Sequence, residues 1–288
     1  VKRLLIILFL ITLLPSQPAQ SKSLLGVQIQ NIDFFNWADI KVVGASTVKI
    51  QVFAEDQAEI LYYQPASKVI SFINDAHNQG LNVLLSVEGN RFDPIGHLPQ
   101  LQNFIQTVAP YENTGDYLEV WNEENSPDEF HGTIDQYRRV YTAVYNSVKS
   151  VSPAKVIIGA LQPNPTESVW ASNLRQLSAS CQGIHYEDYP FHTLRQRLDQ
   201  IRIYYPGRHL CFTEIGVLSS EGLTLPSNFF WAQHTSRQDQ AIILKQIVTS
   251  LSKISNLIII FNVDFTSTPS DPMSGYNLIY NQQCLFCK

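Results

Sequence analysis

Two glutamates interrupt apolar, strand-like runs of this 288-residue chain. Glu123 follows Asn122 in the run "LEVWNEEN", Leu118 to Asn125, and Glu214 lies within "HLCFTEIGV", His209 to Val217. Glutamate is a poor strand residue, and a carboxylate within an apolar strand is costly unless it is paired or functional. Two facing carboxylates can hydrolyse a glycosidic bond. One is held protonated and hands its proton to the leaving oxygen. The other stays ionised and attacks the anomeric carbon or activates water. Trp121 beside Glu123 would favour the protonated form, and donors around Thr213 would favour the charged form of Glu214. Glu124, next in line, is expected to hold a loop or a nearby cation such as Arg138.

The elements that must position these residues alternate along the chain. Apolar, β-branched runs occur at Leu24–Gln30, Thr47–Phe53, Leu81–Gly89, Tyr117–Glu123, Lys155–Leu161, Gln182–Glu187, His209–Val217 and Leu257–Val263. Stretches of helical periodicity lie between them. One, opened by Pro65 and closed by Gly80, sets Val69, Phe72, Ile73 and Ala76 on one face. Another carries Ile134, Tyr137, Val140, Tyr141, Val144 and Val148 at helical spacing, followed by Pro153. A third has Ser236 as N-cap with Asp239 three residues on.

Continuous apolar strands alternating with helices imply a parallel sheet covered by helices. Eight such units in this length favour α/β architecture as a single (β/α)8 TIM barrel. The competing doubly wound sheet lacks its Gly-rich phosphate turn, since "GVQIQNIDFF" contains no GxGxxG. The turn-rich end after the eighth run leaves no room for a full eighth helix and is expected beside the last helix position. In such a barrel the reacting groups sit at the C-terminal strand ends. The fourth strand ends on Asn122-Glu123, and the seventh carries Glu214 near its end.

Residues 1–20 have the layout of a secretory signal peptide: Lys2 and Arg3, an apolar stretch from Leu4 to Leu14, then small and polar residues to Gln20. An uncleaved anchor is the alternative. Residues 21–288 are expected to form one catalytic domain, secreted or periplasmic, monomeric and free of the membrane after cleavage. The net charge of −5, with no basic stripe, argues against a nucleic-acid partner. Export permits disulfides among Cys181, Cys211, Cys284 and Cys287, whose pairing the sequence leaves open.

"EVWNEEN" and "CFTEIGV" resemble the strand-four and strand-seven motifs of the clan A glycoside hydrolases, the retaining (β/α)8 group of cellulases, mannanases and xylosidases. The resemblance implies that Glu123 is the acid/base, Glu214 the nucleophile, and Asn122 a partner of the sugar 2-hydroxyl. It places His185 at the substrate and Tyr186 or Tyr189 near the nucleophile. Strand two of these relatives often carries an arginine where this chain has Lys49, which puts Lys49 among the substrate-binding residues.

The aromatic stretch after the seventh run offers Trp231 as a platform for an apolar sugar face. No metal or other cofactor is expected, because strand one has no His-x-His and the lone CxxC is a weak zinc signal. Ser219 and Ser220 lack a nucleophile elbow. The expected partner is an oligo- or polysaccharide, cleaved at a β-linkage by double displacement. The alternative is a carbohydrate-binding barrel without turnover.

Overall fold

The computed structural model describes residues 23–33, 35–56, 63–187, 193–225, 235–263, 272–280 and 283–287. Residues 1–20, Tyr189 and Trp231 lie outside them. Eight parallel strands close a barrel in chain order: β1 (Leu24–Gln28), β2 (Thr47–Phe53), β3 (Asn82–Glu88), β4 (Tyr117–Asn122), β5 (Lys155–Leu161), β6 (Cys181–Glu187), β7 (Leu210–Gly216) and β8 (Ser255–Phe261). The barrel shuts where β1 pairs with β8, Gly26 opposite Ile259. Among the described residues seven helices cover it: α1 (Trp37–Val43), α2 (Ala66–Asn78), α3 (Leu98–Val108), α4 (Ile134–Val151), α5 (Glu167–Leu174), α6 (Leu194–Tyr204) and α7 (Arg237–Leu251). Among the described residues no helix is long and apolar enough to cross a membrane.

Local chemistry fixes the helix ends. Thr133 with Gln136, and Ser236 with Asp239, form capping boxes that satisfy orphan backbone donors at the starts of α4 and α7. Gly80, at φ 76°, takes the left-handed turn after α2, a conformation that costs glycine little. Two parts of the core shape the barrel. Residues facing out of the barrel, such as Val48, Leu85, Val120 and Ile258, pack against the helices. Residues facing in close the lower barrel with Leu84, Tyr117, Ile157, Leu257 and Ile259, joined there by the Cys181–Cys211 disulfide between β6 and β7.

After β8 the chain forms a 3-10 turn (Pro272–Tyr276) and a hairpin of β9 (Ile279–Tyr280) and β10 (Gln283–Cys284). The expectation of a substitute for the eighth helix is met. Leu278 and Ile279 donate to Val263 O at 3.1 and 3.0 Å. Arg237 of α7 donates to Gly275 O at 3.0 Å and Asn277 O at 3.1 Å. Cys284 pairs with Cys287 at the hairpin's end. The eighth sequence run is shifted: the strand begins at Ser255 and ends at Phe261, where a cis peptide leads into Asn262.

Candidate active site

At the C-terminal end of β4 the backbone departs from strand geometry. Trp121 has φ 73° and Glu123 φ 53°, both left-handed and both without glycine's freedom. Such residues cost of order 1–3 kcal/mol each and persist only where surroundings hold them. The holders are identifiable. The Trp121 indole N–H donates to Glu129 O at 3.0 Å. Glu123 N donates to Ala160 O at 3.0 Å, and Ser126 N donates to Glu123 O at 2.7 Å. Left-handed Trp121 also resets the inward–outward alternation. Val120 and Trp121 both join the barrel–helix core, whereas Glu119 and Asn122, three residues apart, both reach Lys49 inside the barrel.

Glu123, His185 and Glu214 converge. His185 Nδ1 is hydrogen-bonded to Glu123 Oε1, and its Nε2 lies 3.9 Å from Glu214 Oε1. One carboxylate oxygen from each glutamate and a ring nitrogen all fall within 4.8 Å of one another. Gln162, just past β5, donates to Glu123 Oε2 at 3.3 Å. A register shift between Ile184 and His185 sets the histidine opposite Glu214. Arg197 pins that shift, donating to His185 O at 3.3 Å while bound through both amino groups to Glu167 at 2.6 and 2.8 Å.

Beneath Glu214 lies a buried charge network. Lys49 Nζ is 3.2 Å from Glu119 Oε2 and 3.5 Å from Glu214 Oε2, and it donates to Thr213 O at 3.1 Å and Asn122 Oδ1 at 3.3 Å. Burial opposes the lysine's charge, but attraction to Glu119 and Glu214 outweighs it and raises its pKa. The ammonium thus sits against both carboxylates at the floor of the site. Burial, with Glu129 nearby, pushes Glu88 at the end of β3 well above the ordinary carboxylate range, against the opposing hydrogen bond from Gln51.

Several expectations are corrected. Lys49 has no exposed surface, so it cannot touch a substrate; it supports Glu214 and Asn122 from below. Tyr186 is buried in the barrel–helix core, as strand alternation requires once its neighbour His185 faces inward. Arg138 pairs with Asp135 at the surface. Glu124 turns instead toward Tyr137 and Gly159, fully buried. Asn122 stays inside the barrel mouth as expected of a site residue, its Oδ1 accepting from Lys49.

Sequence reasoning missed Gln162, Glu88 and the role of Glu119. A signal for Glu119 existed, because a lysine inside an apolar strand calls for a buried anion. No comparable signal marked Gln162. The trio Glu123, His185 and Glu214 has the donor types to chelate a divalent metal, although the Lys49 ammonium beside Glu214 opposes a further cation.

No family model matches the chain, and no curated protein matches it. Solved structures do. It aligns with a GH39 β-xylosidase from Caulobacter crescentus at 14% identity, over 94% of this chain and 70% of that one, with a TM-score of 0.65. Fungal β-1,4-galactanases align at 13% identity, over 93% and 99%, with a TM-score of 0.67. A GH128 (subgroup I) endo-β-1,3-glucanase from Amycolatopsis mediterranei, solved with laminaritriose, aligns at 14% identity over 92% and 97%, with a TM-score of 0.58. The fold is that of glycoside hydrolase barrels. It is the fold implied by the motifs at β4 and β7, and at these identities the likeness speaks for architecture alone.

Proposed function

We propose that this chain is a retaining glycoside hydrolase acting on a β-linked glycan by double displacement. One observation carries the reading: strands four and seven deliver Glu123 and Glu214 with carboxylate oxygens within 4.8 Å. An oxygen from each within that distance supports the closer placement of retaining enzymes, whose carboxyl groups lie about 5–5.5 Å apart. Inverting enzymes leave room for a water, at about 6.5–9.5 Å.

In this reading Glu214, seated above Lys49, attacks the anomeric carbon. Glu123 gives its proton to the departing oxygen, and the C–O bond to the leaving group breaks as the glycosyl–Glu214 ester forms. Water then enters, Glu123 takes its proton, and the ester is hydrolysed. His185 and Gln162 hold Glu123 in place, and Asn122, fixed by Lys49, borders the reacting carbon.

The test is a 2-deoxy-2-fluoro glycosyl fluoride series read by mass spectrometry, beside proton NMR of the first product anomer. A covalent adduct on Glu214 and retained configuration are expected. Inversion, or an adduct elsewhere, would sink the mechanism. Saccharide binding with no turnover across aryl β-glycosides and β-glucan, mannan, xylan and galactan would leave the carbohydrate-binding barrel.

We also propose export, with residues 1–20 removed, and a monomeric mature protein. Two disulfides support an oxidising compartment. The N-terminus of the mature protein and light scattering on it test these two points.

A further inference from the structure

Phe92 stands on the loop between β3 and α3, on the barrel face that carries the reacting glutamates, and is 56% exposed. Single exposed apolar side chains are common and call for no ligand. Phe92 differs in how firmly it is held. Asn90 Oδ1 accepts from the Phe92 and Asp93 amides at 3.0 Å each, and Asp93 Oδ1 accepts from Gly96 N at 2.9 Å. His97 ties the loop to Glu55 beyond β2 at 2.7 Å. On the other side Arg91 donates to Asp128 O at 3.1 Å and Glu129 Oε2 at 3.2 Å, and His131 N donates to Arg91 O at 2.9 Å. His131 then meets Phe92 edge-on, ring centroids 4.8 Å apart.

The loop is thus fastened to both neighbouring mouth loops, and its ring stays open to solvent. Arg91 also stacks over Phe53, whose backbone bridges Tyr63, a second half-exposed ring on this side. The platform connects to the reaction centre through Arg91 and Glu129. Burial raises the Glu129 pKa, Arg91 lowers it, and the charges of Glu123 and Glu214 raise it again.

A firmly held, exposed ring met at its edge by a histidine, on a loop whose next residues are Arg91 and Asp93, has the chemistry of a sugar site. The apolar face of a pyranose covers the ring, and the planar polar groups at its edge take the equatorial hydroxyls. We propose that Phe92 is the platform of a distal subsite, so that the substrate is a glycan chain long enough to span from the glutamate pair to this loop. The inference rests on the proposed hydrolase reading for its substrate class.

The experiment compares wild type, Phe92→Ala and Phe92→Trp on a β-linked hexasaccharide and on the matching aryl β-monoglycoside. With Phe92→Ala, kcat/KM on the hexasaccharide should fall about tenfold, a typical loss for one aromatic contact. The aryl glycoside should change less than about twofold, and Phe92→Trp should restore the hexasaccharide rate. Equal losses on both substrates, or none on either, would overturn the platform. Affinity electrophoresis in soluble β-1,3-glucan, β-1,4-mannan, β-1,4-xylan and β-1,4-galactan separates this proposal from the hydrolase reading. If wild type hydrolyses nothing but is retarded, and Phe92→Ala is not, the platform stands and the hydrolase falls. Retardation that is absent, or indifferent to Phe92, removes the platform.

Discussion

Glu123 and Glu124 are adjacent in the chain yet serve different surroundings: Glu123 binds His185 inside the barrel mouth, and Glu124 is fully buried beside Tyr137 and Gly159. The left-handed backbone at Glu123 separates them. Of the two, only Glu123 faces the barrel mouth, so the proposed acid role falls to it. Glu123→Gln should lower kcat on unactivated glycans by about 10³-fold, within the usual range for a lost general acid. Glu124→Gln, isosteric and uncharged, should stay within about threefold of wild type. Steady-state rates on one polymer check both, and the reverse ranking would reassign the acid. Azide should partly rescue Glu123→Ala on an activated aryl glycoside, by replacing the water that this glutamate no longer activates.

Lys49 and Glu119 pair with no solvent exposure. Removing one partner of a buried pair strands the other charge and costs about 3–5 kcal/mol. Lys49→Met should therefore lower the urea midpoint sharply and also slow catalysis, since Glu214 loses its nearest cation. Lys49→Met combined with Glu119→Leu removes both charges and should recover much of the stability, but not the rate. A double variant that regained full kcat would show that Lys49 serves the fold alone.

Much of this was legible in the sequence because apolar runs and helical stripes report burial directly. The eight strands, the short C-terminal substitute for an eighth helix and the strand-end placement of Glu123 and Glu214 all follow from periodicity. Side-chain direction was less legible wherever a strand breaks its period of two. Trp121 at positive φ and the register shift before His185 are invisible to pattern counting. For that reason Glu124 was expected on a loop or on Arg138 when it points into the core beside Tyr137, and Tyr186 was expected at the site when it faces the core. Lys49 was placed on the right strand but one layer too high. Gln162 follows a strand end with nothing around it to mark a catalytic neighbour.

Three buried carboxyls should make the protein more stable in mild acid than in base. Burial, foremost, pushes Glu88, Glu112 and Glu124 well above their ordinary range. In the unfolded chain they titrate near about 4.3. Below that pH both states hold the protons, and the contribution is at its full value. As pH rises toward the folded pKa values, the unfolded chain releases protons that the folded one retains. Stability then falls, levelling only above the folded pKa. Urea unfolding free energies between about pH 5 and pH 9 should decline, and Glu124→Gln should make that decline shallower by about one proton. An unchanged slope in the variant would mean that Glu124 is ionised in the fold.

The two disulfides should differ in weight. Cys181 and Cys211 are separated by 30 residues, and Cys284 and Cys287 by 3. On loop-closure entropy alone the first contributes about 3.5 kcal/mol and the second about 1.5 kcal/mol. The first also lies in the apolar plug of the lower barrel, where Cys181→Ala with Cys211→Ala would remove two buried sulfurs. That variant should lose clearly more stability than Cys284→Ala with Cys287→Ala. Chemical unfolding under oxidising conditions measures both. Because the plug lies on the opposite side of Lys49 from the glutamate pair, kcat at a temperature where both variants remain folded should stay close to wild type. A large loss of kcat in the first variant, with the fold intact, would show that the plug sets the spacing of β6 and β7, and so the approach of His185 to Glu214.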